Sequence, residues 1–258
     1  MHRAFRMSAV EERLRYARQA TLRELGADGH ERIRAGSVLI VGVGGLGSPA
    51  ATYLAGAGVG RLVLTDFDRV DLTNIHRQIL FETAVVDRPK TAAAADRLAR
   101  LNPGIDVATI DGRLDADGLA ATIAGCDVVL DGSDNFGTRF AVNAAAHRAG
   151  KPLVSGATIR MEGQLAVFDP RRPDCPCYRC LYDEDGETLE DCSGGGILGP
   201  VAGVMGCLMA VEALKLLAGA GQPVAGRLLL YDALDGEWRT LRIPKDPACP
   251  VCGDAAAA

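Results

Sequence analysis

The sequence predicts an α/β fold: a doubly wound, mainly parallel Rossmann-like sheet with an antiparallel C-terminal extension and a structural zinc site. Three observations predict the sheet. A short apolar run rich in β-branched residues, Ser37–Val41, leads directly into Gly42-Val43-Gly44-Gly45-Leu46-Gly47. Apolar runs and helical stretches then alternate to about residue 155, as successive βα units do. From Ala157 the pattern becomes a polar–apolar alternation, the mark of antiparallel strands with two different faces.

The elements follow in order. Residues 8–35 read as helix, with Leu14, Ala17, Leu22, Leu25 and Ile33 spaced among Arg and Glu. Ser37–Val41 is the first strand and Ala50–Gly58 a small-residue helix. Arg61–Asp66 is the second strand, and Lys90–Leu101 a helix that stops at Asn102-Pro103-Gly104. Strands at Ile105–Ile110, Asp127–Asp131 and Pro152–Ser155 alternate with helices at Asp117–Ala124 and Phe136–Ala149. Residues 170–196, rich in Pro, Gly, Asp, Glu and Cys, read as a long irregular loop, and such loops commonly carry function. Pro200–Leu217 is a helix, Arg227–Tyr231 and Glu237–Ile243 a terminal hairpin, and Ala255–Ala258 a frayed tail. Three parts of one integrated domain result: an N-terminal helical segment over 1–35, a nucleotide-binding core over 36–168, and a loop, staple and strands over 169–258.

Composition narrows the function. The chain has 258 residues, 48% hydrophobic and 24% charged, so a sizeable core is available and global disorder is excluded. Its 28 basic and 33 acidic residues give a net charge of −5, and no long basic stretch suggests nucleic acid as a partner. Residues Met1–Met7 are basic but lack the apolar core of a secretory signal, and Met7 is a second candidate start. The longest apolar run, Gly194–Val211, is interrupted by glycine and continues through Glu212 and Lys215, which predicts a buried helix rather than a membrane span. A cytoplasmic protein with reduced thiols is expected.

Gly42, Gly44 and Gly47 satisfy G-x-G-x-x-G between a strand and a helix, where glycine lets backbone approach phosphate and the helix N-terminus offers N–H donors. Asp66 ends the next strand, where an acid can accept from ribose hydroxyls. These features alone admit NAD as well as ATP. The residues after the strands decide between them. Thr73-Asn74-Ile75-His76-Arg77-Gln78, Pro89-Lys90 and Ser133-Asp134-Asn135 would gather at the carboxyl edge of the sheet. A dinucleotide needs no such set of cations, whereas a triphosphate does, with an Asp to hold Mg²⁺.

At these residues the chain resembles the adenylating domain of the ubiquitin-activating-enzyme superfamily, in particular the bacterial members that activate sulfur carrier proteins for molybdopterin and thiamine. The resemblance rests on Arg15-Tyr16-Ala17-Arg18-Gln19, Gly42–Gly47, Asp66-Phe67-Asp68, Asn74–Gln78, Lys90 and Ser133-Asp134-Asn135, and it runs from about Leu14 to Gly253. It implies a nucleotide cradle at Gly45 and a ribose ligand at Asp66. Thr73, Asn74, Ile75, His76 and Arg77 resemble the family's stretch beside the phosphates, which implies contact through Asn74 and Arg77. By the same resemblance Lys90 is similar to the family's phosphate-binding lysine, Asp134 to its ATP- and Mg²⁺-contacting acid with Asn135 beside it, and Arg18 to an arginine supplied across a homodimer interface. The implied reaction is attack of a carrier's C-terminal glycine carboxylate on the α-phosphate of ATP, with pyrophosphate leaving. The partner is a ubiquitin-like sulfur carrier ending in Gly-Gly. Because the chain stops soon after Gly253, sulfur is expected from a separate donor protein.

The eight cysteines divide by spacing. Cys177-Tyr178-Arg179-Cys180 and Cys249-Pro250-Val251-Cys252 are two CxxC pairs that suit one tetrahedral Zn²⁺, or else two separate redox motifs, though neither opens a thioredoxin-like helix. The resemblance places a structural zinc at these same four positions. Cys175 leaves an ambiguity of ligand register, and Cys126 and Cys207 lie in apolar stretches as packing residues. Cys192, in the Gly-rich stretch Leu189–Gly196, is a candidate reactive thiol that in some members of the family links to the carrier. Glu190 and Asp191 beside it would raise its pKa and oppose strong reactivity. Ser155–Gln164 most resembles the molybdopterin type, while Gly199–Gly206, the Cys192 loop and Cys249–Gly253 resemble the thiamine type at least as much. The molybdopterin carrier is the first expectation and the thiamine carrier the second.

Overall fold

Residues 8–183 and 196–253 are described by the computed structural model. The N-terminal segment forms two helices, α1 (Ala9–Ala20) and α2 (Gly26–Ala35), rather than the single one expected over residues 8–35. The two are separated by turns over residues 21–25, and the chain enters α2 through Gly26, which takes a left-handed φ of +62°. Ser8 caps α1 in a reciprocal box with Glu11, which satisfies N–H groups the first turn would leave unpaired.

The core then alternates strictly. Strand β1 (Ser37–Val41) is followed by α3 (Gly47–Ala57), β2 (Arg61–Asp66), α4 (Lys90–Leu101), β3 (Asp106–Asp111), α5 (Ala116–Ala124), β4 (Val128–Asp131), α6 (Phe136–Arg148) and β5 (Leu153–Ile159). Helix α3 begins at the last glycine of the loop, three residues earlier than expected. The alternation seen from Ala157 is a hairpin: β5 turns at Arg160, which takes φ +54°, into β6 (Glu162–Phe168). After α7 (Gly199–Ala218), β7 (Arg227–Asp232) and β8 (Glu237–Arg242) complete the sheet.

All eight strands form one sheet in the order β3-β2-β1-β4-β5-β6-β7-β8. Pairings among β1–β5 are parallel, and those from β5 to β8 antiparallel. Burial explains why β1 carries no polar alternation. Val38 and Ile40 face a cluster with Leu54, Leu64, Leu98 and Met205, while Leu39 and Val41 face Ile123, Val129 and Val142 on the other side. Helices cover both faces of the parallel half, so both faces must be apolar. Helix α7 is long and apolar enough to cross a membrane, and 56% of that stretch is buried against the rest of the protein. Its Met205 and Met209 reach into space left by Gly163 and Gly156 of β6 and β5, where a Cβ would stand 2.5 Å from each side chain. The expected buried helix is therefore what the chain builds.

Candidate functional site

The strand order reverses between β1 and β4, and in open α/β sheets the crevice outside the strand ends at such a point binds ligand. A cleft of about 440 Å³ lies there, lined by the glycine loop, Asp66, Arg77, Lys90 and the segment Gly132–Asn135. The glycine loop is dictated by close approach. Gly42 takes φ +83°, and a Cβ at Gly47 would lie 2.0 Å from the Gly42 carbonyl oxygen. Neither α3 nor α4 has a side-chain cap at its N-terminus, but part of each first turn is already used: Ser48 N–H donates to the Gly44 carbonyl at 2.9 Å, Pro49 has no N–H, and Lys90 N–H donates to the Asp68 carbonyl at 3.0 Å.

Asp66 is held at the end of β2 by two backbone donors. Val43 N–H donates to Oδ2 at 2.8 Å and Asp68 N–H to Oδ1 at 2.9 Å. Each oxygen keeps a second lone pair for a ligand hydroxyl. Burial pushes the Asp66 carboxyl above the ordinary carboxylate range, partly offset by Lys90 and the two backbone donors. Lys90 is itself buried, and its Nζ donates to Asp68 Oδ2 at 2.8 Å. An ammonium has three donors, so that bond leaves two for phosphate.

Arg77 lines the cleft and is braced from behind. Its Nη2 donates to Asn74 Oδ1 at 2.7 Å and its Nη1 to the Thr73 carbonyl at 3.3 Å, with His76 Nε2 at 2.9 Å. The stretch Thr73–His76 does not itself line the cleft: Thr73, Asn74 and His76 orient Arg77, and Ile75 is half-buried outside it. Asn135 caps α6 through a bond from Thr138 N–H to its Oδ1 at 2.9 Å. Asp134 stands exposed at the cleft, where its Oδ1 accepts from Asn135 Nδ2 at 3.4 Å. A hard, exposed carboxylate of this kind has the donor chemistry for Mg²⁺.

Arg18 does not line the cleft of its own chain. Helix α1 docks through Tyr16, which packs on Gly58 and accepts from Asn102 Nδ2 at 2.7 Å. Gly58 and Asn102 are the C-caps of α3 and α4, the helices whose first turns face the cleft. An 11-residue helix is about 16 Å long, so α1 sits at the far end of the subunit. Cys192 lies outside the described residues.

Sequence reasoning passed over three features. Asp68 holds Lys90, Arg113 lies 4.0 Å over the Phe67 ring at the cleft wall, and Arg139 is buried behind Ser133. Asp68 belongs to the Asp66-Phe67-Asp68 run of the resemblance, but the contacts of all three have no sequence signal, because a charged side chain inside a helix or at a strand end looks like a surface charge until its neighbours are placed.

The two CxxC pairs meet. The sulfurs of Cys177, Cys180, Cys249 and Cys252 all lie within 4.8 Å of one another. Four thiolates about 2.3 Å from one zinc are about 3.8 Å apart, so the cluster fits a tetrahedral ion and joins the long loop to the C-terminus. Cys175 stands outside it, accepting from Asp169 N–H at 3.3 Å, which resolves the register. Cys126 is buried in the core beneath α5, and Cys207 is half-buried on α7.

Residues 16–251 match the ThiF family. Over 243 residues the chain is 47% identical to the molybdopterin-synthase adenylyltransferase of Salmonella typhimurium, covering 94% of this chain and 97% of that protein. Over 240 residues it is 46% identical to the sulfur carrier protein ThiS adenylyltransferase of Escherichia coli, covering 93% and 95% respectively. The structure of E. coli MccB with ATP superposes with a TM-score of 0.81 at 25% identity, covering 93% of this chain and 73% of that one.

Proposed function

This chain belongs to the ThiF family, and on that premise we propose that it is an ATP-dependent adenylyltransferase acting on a small sulfur carrier protein. The observation that carries the reading is the cleft at the switch point, where Lys90 and Arg77 converge with Asp66 and Asp134 beside the glycine loop. A nicotinamide dinucleotide would not require that convergence.

In the proposed reaction a carboxylate oxygen of the carrier's terminal glycine attacks the α-phosphorus of ATP. A new O–P bond forms, the bond from the α-phosphorus to the bridging oxygen breaks, and pyrophosphate leaves with the electron pair. No protein nucleophile takes part. The protein's work is to bring two anions together and screen their repulsion. Asp66 accepts from the ribose hydroxyls, the backbone at Gly45 lets the phosphates approach, and Lys90 and Arg77 neutralise phosphate oxygens. Asp134, with Asn135 fixing the start of α6, would hold Mg²⁺, which would offset phosphate charge. Zn²⁺ in the four-cysteine cluster would be structural. Arg18 would serve the neighbouring subunit of a homodimer.

The molybdopterin carrier is the first reading of the substrate. The thiamine carrier is the second, supported by a relative of that type at 46% identity. Exchange of labelled pyrophosphate into ATP tests both. It should require Mg²⁺ and a carrier ending in Gly-Gly, and it should be fastest with the cognate carrier. Absence of exchange with every Gly-Gly carrier of the source organism would overturn the reading.

A further inference from the structure

The chain has twelve aromatic residues (6 Phe, 5 Tyr, 1 Trp). Five of them, Phe136, Phe140, Phe168, Tyr178 and Tyr182, meet between α6 and the loop that carries Cys177 and Cys180. Two arginines meet this wall: Arg179 lies 5.4 Å over the Phe140 ring, and Arg139 is the more deeply buried. Arg139 is 6% exposed, and its guanidinium carbon stands 5.8 Å from the Phe136 ring centre. Its Nε and Nη2 both donate to the carbonyl of Ser133, at 3.1 and 2.7 Å. That carbonyl belongs to the peptide joining Ser133 to Asp134. The N–H of Ser133 is held from the other side, donating to Asp131 Oδ1 at 3.0 Å. The turn that presents Asp134 to the cleft is thus clamped by two buried charged side chains.

A second observation concerns how the same junction is knit together. Asp131, Ser133, Asn143 and Tyr178 are all buried. The Arg139 guanidinium acts on both Asp131 and the Tyr178 hydroxyl, and Asn143 Oδ1 accepts from Tyr178 N–H at 2.9 Å. Burying so many polar groups costs desolvation that apolar side chains would not incur, and what the network supplies in return is a single fixed geometry for the turn it surrounds. Tyr178 lies between two of the cluster cysteines, so the junction also runs continuously from the cysteine staple to Asp134.

We propose that Arg139 is a positioning residue that clamps the Ser133–Asp134 peptide and so sets the Asp134 carboxylate in the cleft, with Tyr178 tying that clamp to the cysteine staple. The inference rests on the reading of Asp134 as the carboxylate that meets Mg²⁺–ATP.

Arg139→Lys keeps the charge but cannot fork two N–H groups onto one carbonyl. Two readouts test it. Backbone hydrogen exchange of the free protein should be about tenfold faster or more at residues 133–136, with residues 141–148 of α6 unchanged. Calorimetric ATP binding without Mg²⁺ should stay within about twofold of wild type, while the gain in affinity on adding Mg²⁺ falls about tenfold. Tyr178→Phe, which removes only the hydroxyl, should shift both readouts in the same direction by less, and it carries the test if the lysine variant does not fold. Faster exchange throughout α6, or equal loss of ATP binding with and without Mg²⁺, would assign Arg139 a merely structural role and overturn the inference. Unchanged exchange at 133–136 would overturn it as well. Asp134→Ala separates the two levels. If that variant keeps the full Mg²⁺ gain, the role of Asp134 fails, and the exchange readout still decides whether Arg139 clamps the turn.

Discussion

Asp66 shows how one side chain is read at two levels. Its place at the end of the second strand was legible from the spacing after the glycine loop, because a strand's last residue points toward the sheet's carboxyl edge. Its raised pKa was not legible, since burial comes from Lys90, the glycine loop and the loop after β2 closing around it. A ribose hydroxyl donates best to an ionised carboxylate. ATP affinity should therefore fall as pH drops through a pKa above the ordinary carboxylate range. Asp66→Asn should bind more weakly at neutral pH and lose that dependence. Titration calorimetry of both proteins from pH 7.5 to about pH 5 checks it, and the ligand's own titration cancels in the comparison. Parallel slopes would show that Asp66 does not meet the nucleotide. Lys90 follows the same logic: its position at a helix start was legible, and its buried bond to Asp68 was not.

Elements were recognised where periodicity was strong and missed where one backbone torsion intervened. The N-terminal segment turns over residues 21–25 and enters α2 through Gly26, and no hydrophobic pattern announces the left-handed torsion there. Helix α7 was legible as buried, but its partner was not. A Cβ at Gly206 would lie 2.3 Å from the Leu46 carbonyl oxygen, and one at Gly199 would lie 2.5 Å from that of His76. Helix α7 thus rests directly on the glycine loop and on the turn before Arg77. Gly206→Ala should force α7 away from that loop, destabilise the fold by about 1–3 kcal/mol and weaken ATP binding. Gly203→Ala, in the same helix with nothing within 4 Å of the added Cβ, should be neutral or stabilise by up to about 1 kcal/mol. Thermal melts of the pair with and without ATP test this. Equal behaviour of the two variants would show that the contact does not support the site.

At the scale of the whole molecule, α1 sits at the end of α3 and α4 opposite the cleft, so Arg18 cannot serve its own chain's site without leaving its helix dock. A homodimer with arginine in trans makes a specific prediction. Arg18→Ala and Asp134→Ala proteins, each inactive alone, should regain activity when mixed and allowed to exchange subunits. Random exchange yields hybrids for about half of the dimers, each with one intact site, so about a quarter of wild-type activity is expected. Fully exchanged hybrids without activity would exclude the trans site. By itself the sequence determined the layered α/β class, the cleft at the strand ends and the cysteine pairs, because local torsional preference, hydrophobic period and ligand spacing are properties of short segments. Tertiary structure alone decided which cation each acid holds, that Cys175 stands apart from the other four, and that Arg139 is buried behind the turn of Asp134. Those outcomes depend on residues brought together across the chain, and burial, which sets the strength of every charge in the site, exists only once they have met.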